Sequence, residues 1–356
     1  MLEHMLVSLN TTMPFVILAA LGIFLKYRGI ISDNFVTQGN KIIFYFAIPT
    51  TIFNHIHRAN LSAVFDAEFL IFNSAWTVVF FLGTWLLAVK LMKDKESVPS
   101  FVNSAYRSSL SVVAPPLLVL MFYGAADSDI LPKGILTVSI LLIFSYATAA
   151  TLFAVHDPNA RKKGVLGILM AIAKNPVVIG VVIGLVFNVL GWTLTSDNVY
   201  AVLCDYGHYV YGYDGYRMYT TVQTATFASN SVTALANLVM PLAMICVGAN
   251  LSFHGFDAKF KYVIISVVVK LFVMPIAAVA VALFFNAVGI TDFSGSDLTI
   301  IMIMNALPMA VGAYVMQAEL GGDTYIGASA LMLTMTLSAF TLTLFIFLFR
   351  VLGFLV

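Results

Sequence analysis

Charge is what this 356-residue chain has least of: Asp, Glu, Lys and Arg make up only 10% of it, against 61% apolar residues and a mean hydropathy of +0.97. Such a balance excludes a soluble globular chain and a disordered one, and implies an integral membrane protein. Cysteine is nearly absent. Cys204 and Cys246 stand alone, which gives neither a disulfide framework nor a metal-ligand spacing. The net charge is +1, with Lys and Arg scattered in short loops, so there is no basic stripe for nucleic acid. Nucleotide loops, nucleophile elbows and paired catalytic carboxylates are missing too, so an enzyme is the least favoured class and no cofactor is expected. His55 and His57 lack a third ligand for a metal. The opening MLEHMLVSLN has no basic leader or small-residue cleavage site, so the first apolar run is expected to stay as a span.

What is present is repetition. Residues 14–30 read PFVILAALGIFLKYRGI and residues 176–192 read PVVIGVVIGLVFNVLGW; Pro14, Val16, Ile17, Gly22 and Gly29 fall on Pro176, Val178, Ile179, Gly184 and Gly191. A later echo sets the interrupted stretch around Pro116 against that around Pro308, at an offset of 192 instead of 162. The chain therefore reads as one membrane unit copied twice, with about 30 residues inserted in the second copy. The insertion, 193–222, holds three Asp, Arg217 and seven Tyr, and is expected outside the hydrocarbon as an interfacial loop, with a substrate lid or partner surface as the alternative.

Apolar runs predict spans near 5–26, 36–56, 69–92, 100–123 and 132–154, then 175–193, 232–252, 261–288, 297–318 and 325–353, with 165–174 as an interfacial lead-in. The organisation is one membrane domain: 1–192 (spans 1–6), the Tyr-rich insertion 193–222, and 223–356 (spans 7–10). Twelve Lys and Arg flank the odd-numbered loops, against Arg58, Lys133, Arg217 and Arg350 on the other side. That bias places both termini outside the cell membrane, and five spans per copy is an odd number, so the second copy is inverted. Asn10-Thr11-Thr12 and Asn60-Leu61-Ser62 fit a glycosylation pattern that is frequent by chance.

The chemistry gathers at the interruptions. Span 4 carries Pro115 and Pro116 and span 9 carries Pro308, so both helices should break near mid-membrane, where freed backbone groups must face protein or water. Half-helices beginning at Pro116 and Pro308 would aim their positive ends at the bilayer centre and favour an anion. Ser111 and Asn305 are near enough to bond freed groups or ligand, and Asn54 could join them or serve as interhelical glue. Arg107 and Lys270 lie inside spans 4 and 8. No Asp or Glu falls in mid-span to pair with them, so a carboxylate substrate could be the partner; the alternative is that both snorkel or bond backbone carbonyls. The missing carboxylate also disfavours cation/proton antiport. Sodium coordination by carbonyls and hydroxyls at the breaks stays open.

PFVILAALGIFLKYRGIISDNF with FAIPTTIF, then YRSSLSVVAPPL, KNPVVIGVVIGLVFNVLG, MPLAMICVGANLS, KLFVMPIAA and NALPMAVGAYVMQAELGGD, resemble the auxin efflux carrier family, which contains plant PIN carriers and bacterial malate and malonate permeases. The resemblance covers nearly the whole chain outside 193–222. It implies an all-α fold of ten transmembrane helices in two inverted five-helix repeats, crossed broken helices 4 and 9, a scaffold domain, an elevator-like transport domain and, as is usual in the family, a homodimer. Members often carry an Asn before the first crossover, where this chain has Ser109-Leu110-Ser111; Asn305 and Pro308 match the second. The expectation is a secondary carrier of a small organic anion, a mono- or dicarboxylate such as malate or malonate, held by Arg107, Ser109, Ser111, Pro115, Pro116, Asn305, Pro308, Lys270 and Asn54. The alternatives are a sodium-coupled symporter of the bile-acid type and a non-transporting membrane receptor or scaffold.

Overall fold

A computed structural model describes residues 2–57, 66–111, 113–122, 130–162, 164–190, 226–250 and 259–354. Most of the 193–222 insertion's neighbourhood, Arg58 and the Asn60 triplet therefore lie outside the described residues, as does the insertion itself. The elements are α1 (Leu2–Tyr27), α2 (Asp33–Ile42), α3 (Ile48–Ile56), α4 (Ala67–Leu91), α5 (Val98–Tyr106), α6 (Ala114–Phe122), α7 (Ile130–His156), α8 (Pro158–Lys162), α9 (Gly164–Ala173) and α10 (Pro176–Val189). After the insertion come α11 (Thr226–Asn237), α12 (Val239–Asn250), α13 (Phe260–Val268), α14 (Met274–Ala287), α15 (Gly295–Ala306), α16 (Val311–Glu319) and α17 (Thr324–Val351). Two π turns, Ile43–Ala47 and Val269–Val273, join α2 to α3 and α13 to α14, each just before a proline in the first turn of the next helix.

Among the described residues five continuous helices are long and apolar enough to cross a membrane: Ala67–Leu91, Ile130–His156, Asn230–Asn250, Phe260–Ala287 and Thr324–Val351. The pair α9 and α10, bent by 61°, makes a sixth candidate. The lead-in read at 165–174 is thus a helix of its own, turned sharply from the span that follows. Polarity runs opposite to that of a soluble protein. Ile17, Ile71, Leu86 and Phe340 are exposed, whereas Ser100, Asn103, Arg107 and Lys270 are buried. Apolar outside and polar inside is the arrangement hydrocarbon selects.

Small residues set the closest helix approaches. On α1 and α12 a methyl group at Gly22 would strike the carbonyl of Ile245, and one at Gly248 would strike that of Ala19, so each helix presses its backbone into a glycine of the other. Gly180 on α10 meets the Pro49 carbonyl of α3 at 2.7 Å from the same imagined methyl, and Gly184, one turn on, faces Ile56. The sequence GVVIG is a small-residue contact ridge, which packs helices where no hydrophobic force separates lipid from protein.

Each end of the bundle is tied by a lysine between two carboxylates. At one end Lys259 bonds Asp94 at 2.9 Å and Asp323 at 2.7 Å, while the Ser97 hydroxyl lies within hydrogen-bond reach of both carboxylates, at 2.7 and 2.8 Å. At the other, Lys133 bonds Asp66 and Asp297, both at 2.6 Å, and lies over the Phe69 ring. Asp66 and Asp323 also cap α4 and α17, so each cluster fixes helix starts as well as charges. Hydrogen bonds from Lys259 and Ser97 hold Asp94 down to about 2; burial pulls Asp323 upward, but the same two donors outweigh it and leave it lowered. A lowered carboxylate stabilises the fold above its unfolded value, about 4 for Asp, and that contribution disappears as pH falls through the folded value. The thermal midpoint in detergent should therefore be level from pH 8 to 5 as far as this cluster is concerned and drop below about pH 4; Asp94→Asn should flatten that drop.

Candidate functional site

Both spans read as broken are broken. Helix α5 ends at Tyr106 and α6 resumes at Ala114; α15 ends at Ala306 and α16 resumes at Val311. The cause differs on the two sides. Pro308 forces the residue before it out of the helical region, and Leu307 is indeed extended at φ −58°, ψ 150°. On the other side the run RSSLSVV offers hydroxyls and β-branched residues in place of helix formers, and the prolines stand in the first turn of α6, where a missing N–H does no harm.

The two gaps cross and pair. Ser108 and Met309 form an antiparallel bridge, with the Ser109 amide donating to the Pro308 carbonyl at 2.9 Å and the Ala310 amide donating to the Arg107 carbonyl at 3.2 Å. Backbone groups freed by the breaks thereby satisfy one another. The starts read from the sequence need correcting here: the half-helices begin at Ala114 and Val311, not at Pro116 and Pro308. Pro308 lies within the extended gap, and the pairing with 107–109 holds Pro308, Met309 and Ala310 out of the helix. The side chain of Pro116 lies outside the described residues, and Pro115 sits in the first turn of α6 without lining the cavity below.

Four helix ends meet at this crossing. The starts of α6 and α16 carry partial positive charge and the ends of α5 and α15 partial negative charge, about half a unit each, so by themselves they balance. Two buried cations tip the balance. Arg107, 2% exposed, follows the last residue of α5, and Lys270, 0% exposed, reaches the end of α15, so neither snorkels. Lys270 donates to the Asn305 carbonyl at 3.0 Å, to Ser108 Oγ at 2.6 Å and to Met274 Sδ at 3.2 Å. Among the described residues no carboxylate pairs with either cation.

Arg107 faces a closed cavity of about 10 Å³, the size that holds one water. Its guanidinium carbon lies over the Tyr146 ring, 4.3 Å from the ring centre, and Nη1 points to Met316 Sδ at 3.1 Å, while Nε has no partner. Ser108, Ser109, Ser111, Thr51 and Ser145 line the same space, together with Ala310, Val311 and Gly312. The amides of Val311 and Gly312 begin α16, where an α-helix has no acceptor of its own to offer, and Ala310 brings no side-chain cap. Hydroxyls, amides without a helical acceptor and a guanidinium with nothing anionic beside them are groups that can bond an anion.

A second small cavity, on the Lys270 side of the crossing, is lined by Asn73, Thr77, Ser108, Met274 and Asn305 among others. Asn305 belongs there and not with Arg107: its Oδ1 accepts from Trp76 Nε1 at 2.9 Å and its Nδ2 donates to the Ile301 carbonyl at 2.8 Å. Asn54, one turn beyond Thr51, lines neither cavity. Ser109 and Ser111 are thus brought to Arg107, while Asn305 and Lys270 sit across the crossing. Sequence reasoning passed over Ser108, Thr51, Ser145, Tyr146 and Trp76. A signal existed for one pair, because Ser145-Tyr146 ends the apolar run ILLIF.

A protein whose described residues fold into helices, with an apolar exterior, two interrupted helices crossing in its interior and, among those residues, no carboxylate beside the buried basic side chains at the crossing, belongs to the class of membrane proteins that handle solutes within the bilayer. Residues 165–346 match the family described as membrane transport protein, and the chain belongs to it, the auxin efflux carrier family. No curated protein matches the sequence. The protein is a membrane transporter, and its family is not an enzymatic one.

Proposed function

We propose that the chain is a secondary carrier that moves a small organic anion, a mono- or dicarboxylate of malonate or malate size, by elevator-type alternating access. One observation carries the reading: Arg107, buried and without an anionic partner, shares a closed cavity with the uncapped start of α16. A buried cation without a counter-charge is unfavourable in the apo carrier, and a carboxylate with two acceptor oxygens relieves it by bonding guanidinium and amides together. The walls suit alternating access. Ile48 and Thr51 of α3 and Val239 of α12 line the cavity beside the crossing residues, so movement of α3 and α12 away from the crossing would widen the site.

A ten-span, inverted five-plus-five plan fits the same features. α5 and α15 start 197 residues apart, as do α6 and α16. The two lysine clusters also tie corresponding helix starts at opposite ends, Asp66 and Lys259 preceding α4 and α13, with the charges exchanged. The Lys and Arg count then puts both termini outside the cell.

The test is uptake of labelled organic acids into proteoliposomes under imposed sodium, proton and voltage gradients. Saturable uptake of mono- or dicarboxylates, competed by one another and not by amines, is expected. Transport confined to cations or to neutral solutes would overturn the reading.

A further inference from the structure

We propose that Lys270 is a resident cation that takes the place of a coupling sodium ion at the crossing, so that this carrier works without sodium. The inference rests on the crossing being the transport site, but not on which anion is carried.

The last carbonyls of α15 lack intrahelical donors and carry the helix's negative end. One of them, on Asn305, and the hydroxyl of Ser108 on the opposing gap converge on a single point, with Met274 Sδ beside it. Backbone carbonyls at an unwound helix end, joined by a hydroxyl, are the oxygens with which broken-helix transporters hold sodium. Here the point is filled. The Lys270 ammonium bonds both oxygens, arrives from the π turn between α13 and α14, and is wholly buried. In its protonated form it carries the charge of a sodium ion on a covalent tether.

Charge repulsion makes the two exclusive. A sodium ion on the same two oxygens would stand within bonding reach of the ammonium, in a region where like charges are screened far less than in water. Nor is an acid present to neutralise a second cation, because among the described residues no Asp or Glu contacts Lys270, Ser108 or Asn305. The tethered charge also joins the two gaps, since Ser108 precedes α6 and Asn305 ends α15. It supplies the cross-gap tie that a bound ion gives a coupled carrier, but it never leaves.

The test reads sodium binding and not uptake, so it is independent of the cargo. Thermal unfolding of the purified protein is compared in sodium chloride and in choline chloride at equal ionic strength. The wild-type midpoint should be the same in both. Lys270→Ala should unfold several degrees lower in choline and recover part of that loss in sodium or in ethylammonium chloride, whose head replaces the missing one. Sodium stabilisation of the wild type would overturn the inference, as would a Lys270→Ala protein indifferent to both cations. If Lys270→Ala is recovered folded in neither salt, the wild-type comparison decides: a sodium-indifferent midpoint supports the proposal and a sodium-dependent one ends it. Failure of organic-acid uptake alone would count against the anion reading and leave this one standing.

Discussion

Arg107→Gln is expected to lower organic-anion uptake about 100-fold, because removing one partner of a buried, charge-assisted contact typically removes 2–5 kcal/mol. Folding should survive. Arg107 makes no ion pair among the described residues, and its side-chain contacts are a sulfur and an aromatic face, which Gln can approach without leaving a buried charge behind. Monodisperse yield and thermal midpoint near wild type, with uptake lost, would therefore assign the guanidinium to the cargo. Lys at this position should not rescue, since an ammonium does not present two parallel donors to a carboxylate. Uptake unchanged in Arg107→Gln would remove the anion site from this cavity.

The second large effect is structural. Gly248→Val should destabilise the protein by about 3 kcal/mol or prevent its recovery, because overpacking a tight contact already has that scale where side chains can yield, and here the obstacle is the Ala19 carbonyl of α1. Gly22→Val, against the Ile245 carbonyl on the other helix, should act alike. Gly83 makes a suitable control. A methyl there meets nothing, so Gly83→Ala should leave the midpoint level or slightly raised, as helix propensity favours alanine. Thermal scans of the three variants in one detergent separate crossing failure from general helix effects. Equal midpoints for Gly248→Val and Gly83→Ala would show that α1 and α12 separate freely.

How much of this could be read beforehand depends on the range of the cause. The break at Leu307 was legible because it is local: proline restrains the residue before it whatever surrounds them. The restart at Val311 was not, since three residues are held extended by hydrogen bonds to a segment some 200 residues earlier. Arg107 declared itself by being a cation far from any loop. Its surroundings did not, because Thr51 and Tyr146 arrive from α3 and α7 and carry no mark of the meeting. Lys270 was legible as a buried charge and illegible in its bonding, as two of its acceptors, the Ser108 hydroxyl and the Asn305 carbonyl, come from distant segments and carry no mark of the meeting. The repeated Gly22 and Gly184 could be seen as an echo, but that Gly248 answers Gly22 across α1 and α12 is a fact of packing.

The crossing itself is sewn together by main-chain atoms, the 109-to-308 and 310-to-107 links. Stitching of that kind is blind to side-chain identity. Apart from Ser108, whose hydroxyl takes the Lys270 bond, residues along the seam are consequently released from architectural duty, and a lineage could exchange hydroxyls at 109 and 111 for amides or methyls without unpicking the scaffold beneath. Cargo preference can drift within this fold while its geometry stays put, which makes the seam the natural place to re-engineer what the carrier accepts.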